Sequence, residues 1–154
     1  MLEIKREHFF GRTYEILSDG VPVASWSARA WRSGGRVELG SETFELRSSH
    51  WGRAFEMYAA DGDGTVRAEA RRSGRRWEIT DQDGAYELTA PSGLRGKRRL
   101  VRDGVVLGEF RGAGGGVSAE LSGVPLPLQV FAGLVALSLR QRQAGVTAAA
   151  ASSS

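Results

Sequence analysis

Short runs that alternate apolar and polar residues fill the chain from Leu2 to Leu121, and a period of two predicts β-strands. In each run one alternate set is apolar, as in the pair Trp77 and Ile79. One face of each strand should therefore lie against a core and the other against water. Helical periodicity is absent from this part of the chain. The predicted strands are 2–9, 13–17, 21–30, 36–39, 43–48, 54–59, 65–70, 75–79, 85–89, 98–101, 105–110 and 117–121.

Glycine-containing turns separate these runs. Asp19-Gly20, Asp83-Gly84 and Asp103-Gly104 lie between apolar runs, and Asp-Gly favours the positive φ that two-residue hairpin turns need. Connections this short leave no room for crossover helices, so neighbouring strands should be antiparallel, and a parallel α/β sheet is excluded. A similar phrase follows Gly20, Gly64 and Gly104. Three copies are fewer than the ~4–8 blades of a propeller, so we interpret the phrase as recurring hairpin chemistry.

The segment from Val124 to Leu139 breaks the pattern because it is almost continuously apolar. Prolines at its start and Arg140, Arg142 and Gly145 at its end predict a helix over about 127–142. Its apolar residues lie all round the helical circle, so it should be buried on every side. At about 1.5 Å per residue it is shorter than the ~30 Å hydrocarbon core of a bilayer. Two destinations remain, the inside of a barrel or a tilted membrane tail anchor.

The barrel explains more of the chain, because strands curled around the helix would also hide their own edges. We therefore predict a mainly β fold, an antiparallel closed β-barrel of about twelve strands with a central, buried, C-terminal hydrophobic helix. It should form one domain over residues 1–145, followed by a disordered Ala- and Ser-rich tail over 146–154. Since side chains and helix would fill the interior, any binding site should lie on the outer wall or the rims.

This order of elements resembles the tubby C-terminal-like superfamily, which includes plant LURP-one-related proteins and phospholipid scramblases. The resemblance covers residues 2–142 and rests on twelve short strands before a uniformly apolar helix, and on turn phrases such as the Asp-Gly-Val-Val-Leu-Gly of 103–108. It implies a barrel threaded by the helix. Tubby proteins bind phosphoinositide headgroups through basic residues on the barrel, but their lipid-binding residues have no position-by-position match here. Many bacterial members have no assigned activity.

Several kinds of chemistry are absent from the sequence. The chain has no cysteine, which excludes disulfides, thiolate zinc sites and cysteine nucleophiles and indicates a reducing compartment such as the cytoplasm. We expect no signal peptide, since residues 1–10 lack an apolar core. The only histidines are His8 and His50, and no serine has a nucleophile-elbow context. Asp61-Gly62-Asp63-Gly64 lacks the later EF-hand ligands. No catalytic, metal or cofactor site is predicted, and the protein is not expected to be an enzyme.

Basic residues carry the remaining signal. Of the 21 basic residues only Lys5 and Lys97 are lysines, and the formal net charge is +3. Arg pairs bidentately with phosphate or carboxylate, although a GC-rich genome would also favour it. Two tracts form the candidate anion- or lipid-binding surface: Arg71, Arg72, Arg75, Arg76, Arg95, Lys97, Arg98 and Arg99. The alternative is that they are solvated strand ends and edge charges that discourage aggregation.

These features predict a non-enzymatic binding module for an anionic lipid headgroup or another phosphate-bearing ligand. The expected partner is an anionic membrane surface or a phosphoinositide-like headgroup, bound peripherally by a cytoplasmic protein. The alternatives are a structural or protein-interaction domain without a small ligand, and a scramblase-like membrane-associated protein. Nucleic acid is not the expected partner, because Trp26 and Trp77 alternate in phase with apolar residues and should be wall residues rather than stacking platforms.

Overall fold

The computed structural model describes residues 1–7, 12–27, 30–49, 52–60, 64–91 and 97–152, with side chains as far as residue 143. Two helices accompany the strands, α1 (Ala30–Ser33) and α2 (Leu126–Ser152). The strands are β1 (Leu2–Arg6), β2 (Thr13–Ser18), β3 (Val21–Ser27), β4 (Gly35–Leu39), β5 (Glu42–Ser49), β6 (Ala54–Ala59), β7 (Val66–Ser73), β8 (Arg76–Asp81), β9 (Ala85–Thr89), β10 (Lys97–Arg102), β11 (Val105–Ala113) and β12 (Gly116–Leu121).

All twelve strands belong to one antiparallel sheet in the order β3-β2-β1-β12-β11-β10-β9-β8-β7-β6-β5-β4. This is a meander whose first and last strands pair, with Leu2 opposite Ala119 and Ile4 opposite Val117. The only neighbours along the chain that share no ladder are β3 and β4. The predicted twelve-stranded antiparallel barrel is confirmed, and the barrel is nearly closed, with its one gap between β3 and β4.

Helix α1 and an aromatic cluster fill this gap. Trp31 is buried, and its ring centroid lies 5.0 Å from that of Trp26 and 4.7 Å from that of Phe55. Ser48 Oγ donates a hydrogen bond of 3.2 Å to the carbonyl oxygen of Trp31. A Cβ at Gly35 would come within 2.6 Å of the Trp26 ring, so only glycine lets β4 approach the indole this closely. The predicted strand 21–30 is therefore wrong at its end, because a single helical turn is too short to produce a helical period.

Helix α2 occupies the centre of the barrel. The predicted central hydrophobic helix is confirmed, since its side chains are buried all round its circumference. A Cβ at Gly133 would lie 2.9 Å from side-chain atoms of both Leu2 and Ile4, so this glycine lets the helix lie against β1. No helix in the described part of the chain is long and apolar enough to cross a membrane. The fully or nearly buried helical residues are Leu128, Val130, Phe131, Ala132, Leu134, Val135, Ala136, Leu137 and Leu139.

The helix is longer than the predicted segment 127–142. Its backbone continues through Gly145 and ends at Ser152, so most of the tail predicted as disordered over 146–154 has helical backbone. Glycine costs only about 1 kcal/mol relative to alanine inside a helix. Residues 148–151 are all alanine, the residue type with the strongest helix propensity. A single glycine before such a run therefore does not end the helix.

Three register shifts recur every fourth strand. They lie between Ile16 and Leu17 in the β2–β3 pair, Met57 and Tyr58 in the β6–β7 pair, and Leu100 and Val101 in the β10–β11 pair. Each shift precedes one of the phrases at Gly20, Gly64 and Gly104, which belong to one sheet rather than to separate blades. A bulge bends a strand and increases its twist, so these three pairs spread the curvature around the barrel.

Two of the three predicted Asp-Gly turns form as expected. Asp19 and Asp103 both have a φ of 51°, and a glycine with positive φ follows each of them. The prediction is wrong at Asp83-Gly84. There the Asp81 amide donates to the Gly84 carbonyl at 3.0 Å, so the central residues of the turn are Gln82 and Asp83. The Asp81 carboxylate accepts the amides of Asp83 and Gly84, and this side-chain cap replaces the positive φ at aspartate.

Candidate functional site

The described connections at the two ends of the barrel differ in charge. At the end where α2 begins they contain Asp19, Asp83 and Asp103 and no basic side chain, although the Met1 ammonium pairs with Asp19 and Arg102 of β10 lies 4.0 Å from Asp103. At the end where α2 leaves the barrel, the described connections and the emerging helix contain a single carboxylate, Glu7. We refer to them as the acidic end and the basic end. The basic side chains of the basic end's connections and helix are Arg12, Arg32, Arg53, Arg75, Arg140 and Arg142.

Both predicted basic tracts lie at the basic end. The β7–β8 turn and the start of β10 are brought together by β9, because Trp77 pairs with Leu88 and Arg99 pairs with Thr89. Arg76 and Arg99 therefore flank Thr89 on the outer face of the sheet. An open groove of about 490 Å³ lies beside them, lined by Ser73, Gly74, Arg75, Arg76, Thr89, Ala90 and Pro91. Arg95 lies outside the described residues.

Four of the predicted site residues face outward and are paired with carboxylates. The pairs are Arg71–Glu69, Arg76–Glu87 (3.4 Å), Arg99–Glu109 (3.5 Å) and Lys97–Glu109 (3.9 Å). Exposed pairs of this kind stabilise a fold by only about 0–1 kcal/mol. They do, however, neutralise the outer wall locally, so these cations attract an external anion less strongly than unpaired ones would.

The other three described candidates, Arg72, Arg75 and Arg98, form no ion pair with any described residue. Arg72 Nε donates to the Gly74 carbonyl at 3.1 Å, and Arg75 is exposed in the turn. Arg98 differs in its burial, because it is half-buried and lies on the same face of β10 as the inward-facing Leu100. Burial lowers the pKa of Arg98, since desolvation penalises its charged form. The predicted patch therefore divides into two sets. Arg71, Arg76, Lys97 and Arg99 on the outer wall are neutralised by carboxylates, whereas Arg72, Arg75 and Arg98 at the barrel mouth are not.

The structure adds Arg140 and Arg142, which the sequence had only indicated as a helix end. Arg142 Nη1 donates to the Gly52 carbonyl at 2.7 Å, and its guanidinium lies 5.1 Å from the centroid of the Phe55 ring. Burial lowers the pKa of Arg142 as well. Arg140 lies over the backbone of Gly112 in β11, because a Cβ added there would collide with its guanidinium. The sequence signal that could have indicated these two residues is a pair of arginines directly after the apolar segment that ends at Leu139.

Other groups at this end hold the helix in register. Gln141 Nε2 donates to the Tyr14 hydroxyl at 2.5 Å, which joins α2 to β2. The Arg6 guanidinium lies 6.0 Å from the centroid of the Tyr14 ring and close to Gly115. The mouth of the barrel is therefore an ordered arrangement of polar side chains around the emerging helix.

The remaining sequence interpretations have mixed outcomes. Trp26 and Trp77 are buried side chains of β3 and β8, which confirms that they are wall residues rather than stacking platforms, and Trp31 is buried on α1. His8, His50 and the segment 61–63 lie outside the described residues, so the structure does not test them. Within the described ranges no three His, Asp or Glu side chains come together to hold a metal ion.

Comparisons with protein-family models, with curated proteins and with solved structures found no match to this chain. The barrel and central helix are the architecture that the tubby-like resemblance implied, but the family assignment itself stays a prediction. The candidate site therefore depends on the charge, burial and contacts of its own residues.

Proposed function

We propose that this protein is a non-enzymatic binding module that docks its basic end on an anionic, phosphate-bearing surface, with a membrane leaflet as the partner. The observation that carries the proposal is the concentration of arginine side chains in the connections at the basic end of the barrel. Anionic lipids attract a Lys or Arg near their surface with about 1 kcal/mol each, and the attraction falls off within a Debye length of about 8 Å at physiological salt. Several arginines at one end are therefore needed, and this end has them.

The arrangement of the rim favours a surface over a small ligand. Arg12, Arg32, Arg53 and Arg75 come from four different connections around the barrel mouth. A flat array of phosphates can contact several of them at once, and each guanidinium can bind a phosphate with two parallel hydrogen bonds. The outer wall offers less, since its basic residues are paired with Glu69, Glu87 and Glu109 in the β-ladders.

The resemblance to tubby-like proteins adds a candidate lipid to this proposal. If the chain belongs to that superfamily, a phosphoinositide-like headgroup becomes the expected component of the surface. The wall arginines then matter less than the rim. Membership in the superfamily and a cytoplasmic, peripheral location are parts of the proposal.

Vesicle co-sedimentation tests the proposal directly. We expect the protein to bind phosphatidylcholine vesicles that contain phosphatidylserine or a phosphoinositide, to bind pure phosphatidylcholine much less, and to dissociate as salt is raised. The variant Arg72→Gln/Arg75→Gln should weaken binding about thirtyfold, as the loss of two contacts of about 1 kcal/mol each implies. Equal binding to neutral and anionic vesicles would contradict the proposal.

The matched control comes from the same hairpin. Arg71→Gln/Arg76→Gln removes the same net charge, but from side chains that are paired with Glu69 and Glu87. We expect this variant to bind vesicles within a few fold of the unmodified protein. If both double variants lose the same affinity, net charge rather than the rim determines binding.

One observation favours a second candidate function, protein interaction at the acidic end. Every exposed large apolar side chain of the described residues lies there, at or next to the first residue of a strand that leaves this end: Met1, Val21, Val66, Val105 and Val106. The complementary partner would present an apolar patch with a basic border, because Asp19 and Asp103 flank these side chains. Val21→Ser/Val106→Ser should then abolish binding of a Leu- and Lys-rich amphipathic model peptide. Unchanged peptide binding would remove this candidate.

A further inference from the structure

We infer that the interior of the barrel mouth at the basic end binds one phosphate monoester group between Arg98 of β10 and Arg140 of α2. The inference rests on the proposed function, because the rim is what would bring a phosphate-bearing ligand to the mouth. It goes further by naming an inward-facing site with two specific cations.

The β10–β11 ladder places Arg98 beside the part of β11 that Arg140 contacts. Arg98 pairs with Phe110, and Gly112 lies two residues further toward the mouth on the same face of β11. Two residues along a strand span about 7 Å. The Arg140 guanidinium lies over Gly112, so it approaches from the helix while Arg98 approaches from the wall. A tetrahedral phosphate between them can accept hydrogen bonds from both guanidinium groups.

Neither guanidinium has an anionic partner within the described residues. The alternation of the strands gives the inner face at this end Ile4, Tyr14, Phe110 and Val117, and no carboxylate in the described ranges. Arg142 provides the contrast, because the Gly52 carbonyl and the Phe55 ring already receive its guanidinium. Desolvation disfavours the charged form of Arg98, and burying a charge without a counter-ion is costly. A bound dianion would compensate that cost.

The absence of a side chain at Gly112 preserves the site. A Cβ at this position would collide with Arg140, whereas the backbone of Gly112 does not have the positive φ that would itself require glycine. Gly112→Ala should therefore displace Arg140 without straining β11. A phosphate monoester is the fitting ligand class, since it carries close to two negative charges at pH 7 and presents three acceptor oxygens.

NMR of the arginine Nε–Hε groups tests the site with soluble probes. Inorganic phosphate and inositol 1,4,5-trisphosphate are titrated separately, against sodium chloride of equal ionic strength. We expect saturable shifts of the Arg98 and Arg140 resonances with both phosphate probes and not with chloride. Arg98→Gln and Gly112→Ala should each weaken phosphate binding at least tenfold. Shifts that do not saturate, or that are spread evenly over all arginines, would overturn the inference.

Arg99→Gln is the matched control because Arg99 is the adjacent residue on the opposite face of β10, where it pairs with Glu109. It should leave the affinity for the phosphate probes unchanged, and an equal loss in both variants would overturn the site. Circular dichroism of Gly112→Ala checks that the barrel stays folded. If Gly112→Ala unfolds the barrel, the Arg98→Gln and Arg99→Gln pair alone decides the result.

Vesicles that contain a phosphoinositide separate this inference from the proposed function and distinguish a lipid headgroup from a soluble ester. If the unmodified protein binds these vesicles and Arg98→Gln binds them and the soluble probes equally well, the mouth site is refuted and the docking function stands. If soluble probes bind through Arg98 but no vesicle binds, the site is supported and the docking function fails. Loss of both kinds of binding in Arg98→Gln supports a lipid headgroup as the source.

Discussion

The acidic end and the basic end belong to the same barrel, yet their charged residues differ in whether they stabilise the backbone turns. Asp19 and Asp103 occupy turn positions with a φ of 51°, which aspartate tolerates better than most residues, and the Asp81 carboxylate caps the β8–β9 turn. Turn chemistry therefore accounts for these acidic residues. It does not account for Arg75, Arg98 or Arg140, none of which caps a turn or pairs with a described carboxylate. Turn chemistry therefore explains the charged residues of the acidic end more fully than those of the basic end, where the proposed phosphate-bearing partner would pair with the arginines.

The largest expected effect comes from a substitution in the core of helix α2, which runs from one end of the barrel to the other. Phe131 is fully buried at the centre of the barrel, 6.5 Å from Trp31 between ring centroids. Phe131→Ala should lower the free energy of unfolding by about 3–5 kcal/mol, because it creates a cavity in the core. Chemical denaturation measures this loss. The exposed Val105→Ala serves as the control, and a loss below about 1 kcal/mol for Phe131→Ala would contradict a central helix.

The second test asks whether the arginines without a carboxylate partner at the basic end, Arg75 and Arg98, serve binding rather than folding. Arg75→Gln/Arg98→Gln should change the free energy of unfolding by less than about 0.5 kcal/mol or raise it slightly, because an unpaired, partly buried charge is removed. The same variant should weaken binding to anionic vesicles about thirtyfold, since it removes two contacts of about 1 kcal/mol each. A denaturation midpoint and a vesicle titration on one preparation compare the two effects. A large loss in the free energy of unfolding with unchanged vesicle binding would contradict this prediction, because the arginines would then serve folding rather than binding.

The third test concerns the turns of the acidic end. Asp103→Ala should lower the free energy of unfolding by about 1 kcal/mol, because alanine adopts a φ of 51° less readily than aspartate. Arg75→Ala in the β7–β8 turn should have an effect below about 0.5 kcal/mol. Thermal unfolding of the two variants side by side measures the difference. Equal effects would mean that turn chemistry does not distinguish the ends.

The smallest expected effect is a pH dependence at the acidic end. A hydrogen bond to Asp19 raises the pKa of the Met1 amino group above its ordinary value of 8.0. Because the folded pKa is the higher one, this pairing stabilises the fold fully below pH 8 and loses its effect as pH rises through the raised pKa. The melting temperature of Asp19→Asn should fall less across this window than that of the unmodified protein. Parallel slopes would contradict the pairing.

The strands were predictable because turn residues mark their ends. β6 and β9 agree with the sequence prediction at both ends, and the register shifts lie where the recurring phrases are. Three features were beyond the sequence: which strands pair to close the barrel, where its gap lies, and helix α1. The β1–β12 closure and the β3–β4 gap depend on long-range pairing, which local periodicity does not encode. Helix α1 is one turn long, so it leaves no helical period.

The basic residues of the candidate site were visible in the sequence, but their arrangement in space was not. The structure places the β7–β8 hairpin and the start of β10 at one end of the barrel, which the sequence had left open. Adjacent residues of a strand point to opposite faces, however, so Arg71 and Arg72, or Arg98 and Arg99, do not act as one patch. Arg140 joins the site only because α2 runs through the barrel and ends beside Gly112. That contact requires the fold, and no local motif indicates it.

Spin labels at the two ends, read on vesicles, test the central claim most directly. The chain has no cysteine, so Ser33→Cys in α1 and Ser41→Cys in the β4–β5 turn each give one labelling site, at the basic and acidic end respectively. Both serines are exposed. The account predicts that anionic vesicles protect the label at residue 33 from a water-soluble relaxation agent and leave residue 41 accessible. Equal accessibility of both labels, or protection of residue 41 alone, would contradict it.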